Sequence, residues 1–115
     1  MSKNVLVVED DTNICRLIEI MLRRQSLSTD TVGDGLTAIE RLRARPYDVM
    51  VLDIMLPKAN GFEVAAVAAA LATPPKIIVL SAISRYFNDR FPQGSIVLQK
   101  PFDLVRLDDV VRSLI

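Results

Sequence analysis

Four short apolar runs occur along the 115-residue chain without polar interruption: Val5–Val8, Val49–Leu52, Ile77–Leu80 and Ile96–Leu98. Continuous rather than alternating runs of this length predict strands covered on both faces, as in a parallel sheet. Ser28–Val32 is more polar and reads as an edge strand. Between the strands the period changes. Ile14, Leu17, Ile18, Met21 and Leu22 follow i, i+3, i+4, i+7, i+8 spacing and predict the buried stripe of a first helix, with Thr12 or Asp11 near its N-cap. Leu36, Ile39 and Leu42 mark a second helix, ended by Pro46. An alanine-rich third runs from about Gly61 to Leu71 and is stopped by Pro74 and Pro75. A short, weak fourth helix is expected around Ser84 to Arg90, before Pro92 and Gly94. Leu104, Leu107, Val110, Val111 and Leu114 form the stripe of the last.

The strict alternation of strand and helix predicts one α/β domain over residues 1–115. With right-handed crossovers it becomes a flavodoxin-like, doubly wound three-layer sandwich: five parallel strands in the order 2-1-3-4-5, with a short or irregular fourth helix.

Composition narrows what such a domain can do. Fourteen basic and fourteen acidic residues balance to zero. No basic stripe suggests direct contact with nucleic acid; Arg41, Arg43 and Arg45, with Glu40, read as the solvated end of a helix. No apolar run approaches the ~20 residues that span a bilayer. The N-terminus does not resemble a signal peptide, so no membrane insertion and a cytoplasmic location are expected. The single cysteine, Cys15, has no internal disulfide partner and reads as a small residue of the first helix. The chain has no histidine, so its chemistry must rest on carboxylates, hydroxyls and lysine.

Those groups gather where the topology puts ligands, beyond the carboxyl ends of the strands. The first strand ends in Glu9, Asp10 and Asp11, the third in Asp53, the fourth in Ser81, and the fifth in Lys100 followed by Pro101. Two carboxylates about 4 Å apart repel by about 4 kcal/mol at an effective dielectric near 20. A proton, a lysine or a cation must compensate such a cluster. Hard oxygen ligands with open positions suit Mg²⁺, and a carboxylate beside it can attack phosphorus to form an acyl phosphate. Asp11 alone reads better as the cap of the following helix.

The segments Val5-Leu6-Val7-Val8-Glu9-Asp10-Asp11, Asp48-Val49-Met50-Val51-Leu52-Asp53-Ile54-Met55-Leu56-Pro57 with Gly61 beyond, Leu80-Ser81-Ala82 and Lys100-Pro101-Phe102 resemble the receiver domains of two-component response regulators. The resemblance covers nearly the whole chain in motif order. It implies Asp53 as phosphoacceptor and Glu9 and Asp10 as the acidic pocket. Mg²⁺ (or Mn²⁺) would be held by Asp10, Asp53, the main-chain carbonyl of Met55 and, through water, Glu9. Ser81 and Lys100 would contact the phosphoryl oxygens, and the small Ala82 would leave a path to the aspartate. It also implies a histidine kinase or histidine phosphotransfer protein as donor, an unknown downstream protein, and no enzymatic activity beyond self-catalysed phosphoryl acceptance and slow autodephosphorylation.

The sequence departs from the family at several places. Val97 stands where members commonly carry an aromatic residue that changes position with Ser81 on phosphorylation. The spacing from Ser81 to Lys100 is short, and Pro92-Gln93-Gly94-Ser95 replaces the usual acidic turn. Phe87 and Phe91 are expected to be buried together, or else to form a partner-binding patch with Tyr86. With nothing after the last helix, output is expected through binding another protein or passing the phosphoryl group on, unless the sequence is a fragment of a longer regulator.

Three rival readings compete for the same residues. Gly33-Asp34-Gly35-Leu36-Thr37-Ala38 fits a dinucleotide fingerprint, but it follows the edge strand and reads as a turn into the second helix. A phosphatase would need a second acid where Met55 stands. A receiver-like interaction module that signals without phosphate is the alternative kept open by the altered segment before the fifth strand.

Overall fold

The computed structural model describes residues 3–56, 58–81 and 91–115. Among these the order is β1 (Asn4–Val8), α1 (Thr12–Arg24), β2 (Ser28–Val32), α2 (Gly35–Ala44), β3 (Val49–Asp53), α3 (Gly61–Ala69), β4 (Lys76–Ser81), β5 (Ile96–Gln99) and α4 (Leu104–Leu114). The strands form one parallel sheet in the order β2-β1-β3-β4-β5. This is the expected flavodoxin-like arrangement, with Ser28–Val32 at the edge. The helix expected around Ser84 to Arg90, together with Ala82, Tyr86 and Phe87, lies outside the described residues.

Period-two alternation divides each apolar strand between two cores. Leu6, Val8, Met50, Leu52, Ile77 and Val79 pack with Ala38 and Leu42 of α2 and with Val64, Ala65 and Ala68 of α3. Val5, Val7, Val49, Val51, Ile78 and Leu80 pack with Ile18 and Leu22 of α1 and with Leu107, Val110 and Val111 of α4. Burial on both faces is why these strands carry no polar alternation.

Each of the described helices begins at an Asx cap whose side chain satisfies free amides of the first turn. Asp11 accepts from the Asn13 and Ile14 amides at 2.9 and 3.2 Å, so the α1 cap is Asp11 rather than Thr12. Asp34 accepts from Thr37 N at 2.8 Å and from Thr37 Oγ1 at 3.0 Å, making Gly33-Asp34-Gly35 the turn into α2. Asn60 and Asp103 cap α3 and α4. Arg45, the residue before Pro46, is extended and ends α2, as expected of a residue that proline excludes from the helical region. α3 stops at Ala69, two residues before the expected Leu71.

One expectation fails. Leu17, assigned to the buried stripe of α1, is 52% exposed. The apolar stripe of α1 is wider than its line of contact with the sheet, and only Ile18 and Leu22 of it are fully covered. Leu17 instead borders a surface groove with Ile14, Phe102 and Leu104. The difference is measurable by urea denaturation. Ile18→Ala should cost about 2–5 kcal/mol, whereas Leu17→Ala should stay within about 1 kcal/mol of wild type. Equal losses would contradict this packing.

Candidate functional site

The parallel register brings the carboxyl ends of the three central strands to a common rim. Val8 pairs with Leu52, and Asp53 pairs with Leu80, which precedes Ser81. The amide of Glu9 donates to the Val32 carbonyl at 3.1 Å, so the ladder runs on past β1 and holds Glu9 at the strand mouth. The Lys100 amide donates to the Ser81 carbonyl at 2.7 Å and sets Lys100 at the end of β5. The Lys100–Pro101 peptide bond is cis.

At this rim Glu9, Asp10 and Asp53 each present a carboxylate oxygen within 4.8 Å of the others. Glu9 and Asp53 are buried and Asp10 is exposed. The ammonium of Lys100 reaches into the cluster, 2.9 Å from Asp53 Oδ2 and 3.3 Å from Glu9 Oε1. The other oxygen of Asp53, Oδ1, accepts the Met55 amide at 3.1 Å. Asp53 is thereby held by a charge on one oxygen and a backbone dipole on the other.

Lys100 reaches only two of the three carboxyl groups. Burial, followed by the neighbouring Asp53 carboxylate, pushes the Glu9 carboxyl up to about 8, against the pull of Lys100. Burial alone would lower the Lys100 pKa, but the hydrogen bond and charge of Asp53, then the charge and hydrogen bond of Glu9, outweigh it and hold the ammonium above its ordinary value. Glu9 Oε2 is buried without a hydrogen-bond partner, and an orphaned buried oxygen of this kind is costly. Among the described residues no cation is paired with Asp10. An excess of hard oxygen donors, one exposed to solvent, is a donor set that fits a divalent cation such as Mg²⁺.

The structure therefore brings the adjacent Glu9 and Asp10 together with Asp53 and Lys100, which lie far from them in sequence. Ser81 is buried at the end of the adjacent strand β4. Met55 follows Asp53 in the β3–α3 loop, with its side chain in solvent. Val97 is half-buried on β5, in register with Val79, and packs against the core shared with α2 and α3. Asp11 caps α1. Spacing alone does not suggest the aromatic contact between α3 and the segment before β5. Phe91 is buried and stacks on Phe62 of α3, with ring centroids 4.8 Å apart and an interplanar angle of 24°.

The sheet order and the acid–lysine rim define an α/β domain with an anionic strand-end pocket. The sequence matches the response regulator receiver domain family over residues 5–112. It is 33% identical over 116 residues to the response regulator ArlR of Staphylococcus epidermidis and 30% identical over 115 residues to ArlR of Staphylococcus aureus. These alignments cover 97% and 96% of this chain and 52% of each relative, so the chain spans about half the length of the curated relatives it matches. A response regulator receiver protein from Sinorhizobium medicae superposes with a TM-score of 0.90 at 25% identity, covering 98% of this chain and 94% of that one. The receiver domain of the sensor histidine kinase PA1611 from Pseudomonas aeruginosa superposes with a TM-score of 0.84 at 25% identity, over 99% and 98% of the two chains, and was crystallised with a magnesium ion in its active-site cleft. The chain belongs to the response regulator receiver domain family.

Charge crowding leads to a stability test. Replacing Asp10 by Asn should relieve repulsion in the metal-free protein and raise its Tm by roughly 4 °C. Mg²⁺ at ten times its Kd should stabilise the wild type by about 1.4 kcal/mol through mass action and do little for Asp10→Asn. Calorimetry with and without Mg²⁺ checks both. A variant that is less stable without metal, or equally stabilised by it, contradicts the electrostatic account.

Proposed function

We propose that this receiver domain accepts a phosphoryl group on Asp53 from a phosphohistidine of a histidine kinase or histidine phosphotransfer protein. The observation that carries the reading is the placement of Lys100 Nζ between Asp53 and Glu9, beside three carboxylates that converge on one rim. A cation supplied by a distant strand to an otherwise repulsive cluster serves phosphoryl transfer, in which positioning and charge neutralisation are most of the catalysis.

In this reading a carboxylate oxygen of Asp53 forms a bond to phosphorus while the phosphorus–nitrogen bond of the donor breaks, and the electron pair stays with the imidazole. Lys100 and the Ser81 hydroxyl contact the phosphoryl oxygens. The Met55 amide orients the acceptor carboxylate through Oδ1. Asp10, Asp53 and the Met55 carbonyl, with Glu9 through water, would hold Mg²⁺ or Mn²⁺. When bound, the cation supplies positive charge that lets an anionic nucleophile and an anionic phosphoryl group approach each other. The domain turns over no separate substrate; its only reactions are its own phosphorylation and slow hydrolysis of the acyl phosphate. Phosphorylation draws Ser81 and Lys100 toward the phosphoryl group and shifts the population between two states of the domain, changing which protein it binds. The relatives with which it shares about half their length support this placement in a two-component pathway.

Incubation with acetyl phosphate and Mg²⁺ should add one phosphoryl group to the wild type by intact mass, none to Asp53→Asn, and chelation of the metal should abolish the uptake. Lys100→Ala should slow phosphorylation at least tenfold, about 1.4 kcal/mol of barrier. If wild type and Asp53→Asn behave alike at saturating donor, the phosphoacceptor reading is wrong and the domain acts as a phosphate-independent interaction module.

A further inference from the structure

The β3–α3 loop carries both main-chain groups of Met55 on which the proposed site depends, and it packs against the start of α2. Gly35, the first residue of α2, is buried. A Cβ on Gly35 would lie 2.1 Å from the carbonyl oxygen of Ala59 and 2.7 Å from both its carbonyl carbon and its methyl. Ala59 is itself 4% exposed. The closest atom is backbone, so no side-chain rotation relieves the clash; α2 or the loop must move.

α2 is the stiffer partner. Its first turn is capped by Asp34 on Thr37, and Ala38 and Leu42 anchor it in the core. The loop is also closely held where it enters α3. Gly61 starts α3 so close to β3 that a Cβ there would lie 2.6 Å from Ile54 Cα and 3.1 Å from the Asp53 carbonyl oxygen, and the Gly61 amide donates to the Ile54 carbonyl at 3.0 Å. Lys58, in the left-handed region at φ 71°, puts its ammonium 3.9 Å from Asp34 Oδ2 and adds a weak surface tie between loop and helix cap. A displacement imposed at Ala59 is therefore passed back along the chain toward Met55 and Asp53.

We infer that Gly35 is a positioning residue: by lacking a side chain it seats Ala59 and so fixes the loop that presents Met55 to the cation and to Asp53. The inference rests on the proposed cation site. It assigns to α2, which contributes no group to that site, control over its geometry.

The test is the Mg²⁺ affinity of the full domain, measured by calorimetric titration and by amide NMR shifts. Gly35→Ala should raise the Mg²⁺ Kd roughly tenfold, the scale seen when groups supporting metal ligands are removed, and should shift the metal-free amide resonances of Met55, Ala59 and Asn60. Phosphorylation by acetyl phosphate should be slowed at limiting Mg²⁺ and restored at saturating Mg²⁺. Val111→Ala, in the core on the opposite face of the sheet, supplies a destabilised control whose Mg²⁺ Kd should match wild type. If Gly35→Ala does not fold, Ala59→Gly removes the methyl from the same seat without added bulk and should raise the Kd at least twofold. An unchanged Kd in the folded variants overturns the inference. Failure of the phosphoacceptor reading is separate: the wild type would then bind Mg²⁺ without gaining a phosphoryl group.

Discussion

The structure depends on keeping like charges together at one rim. Glu9 and Asp53 are buried acids at the mouths of adjacent strands, and Asp10 adds a third carboxylate from the solvent side. Lys100 offsets part of that repulsion through contacts of 2.9 and 3.3 Å, while burial and then the neighbouring Asp53 push the Glu9 carboxyl up to about 8. A fold optimised for stability alone would fill such a position with apolar residues. This one keeps an unsatisfied oxygen and excess negative charge in the place where an α/β sheet binds ligands.

The apolar scaffold is what makes the crowding tolerable. The central strands are covered on both faces, so the strand ends cannot spread without opening one of two packed cores. Parallel register then places Glu9, Asp53, Ser81 and Lys100 at neighbouring positions whatever their mutual repulsion. The Asx caps of the four described helices complete the same rim, because a helix that follows a strand in this topology begins where that strand ends. Asp11 illustrates the division of labour: it adjoins two site acids, yet its carboxylate is committed to α1.

The loop after β3 is governed by contact rather than charge. It is confined between the first residues of α2 and α3, and at both places glycine allows an approach that a methyl group would block. The helix that supplies no chemistry thus borders the loop that supplies backbone groups, and the site's geometry is linked to the packing of a neighbouring layer.

The described elements, the two-sided burial of the strands, the turn into α2 and the acids and lysine at strand ends were legible in the sequence, because each depends on local period or on residues next to an element boundary. Chain order also pointed to the sheet order, since right-handed crossovers leave few alternatives. Other features were decided only in three dimensions. Lys100 lies 91 residues from Glu9 and 47 from Asp53, and only the packed sheet shows that its ammonium joins both carboxylates. Leu17 carries the helical period of its buried neighbours but stands in solvent, because the breadth of the contact between α1 and the sheet is a tertiary quantity. The stack of Phe91 on Phe62 and the seat of Ala59 on Gly35 likewise join segments with no shared pattern. Their partners are chosen by how the layers meet, which no local spacing encodes.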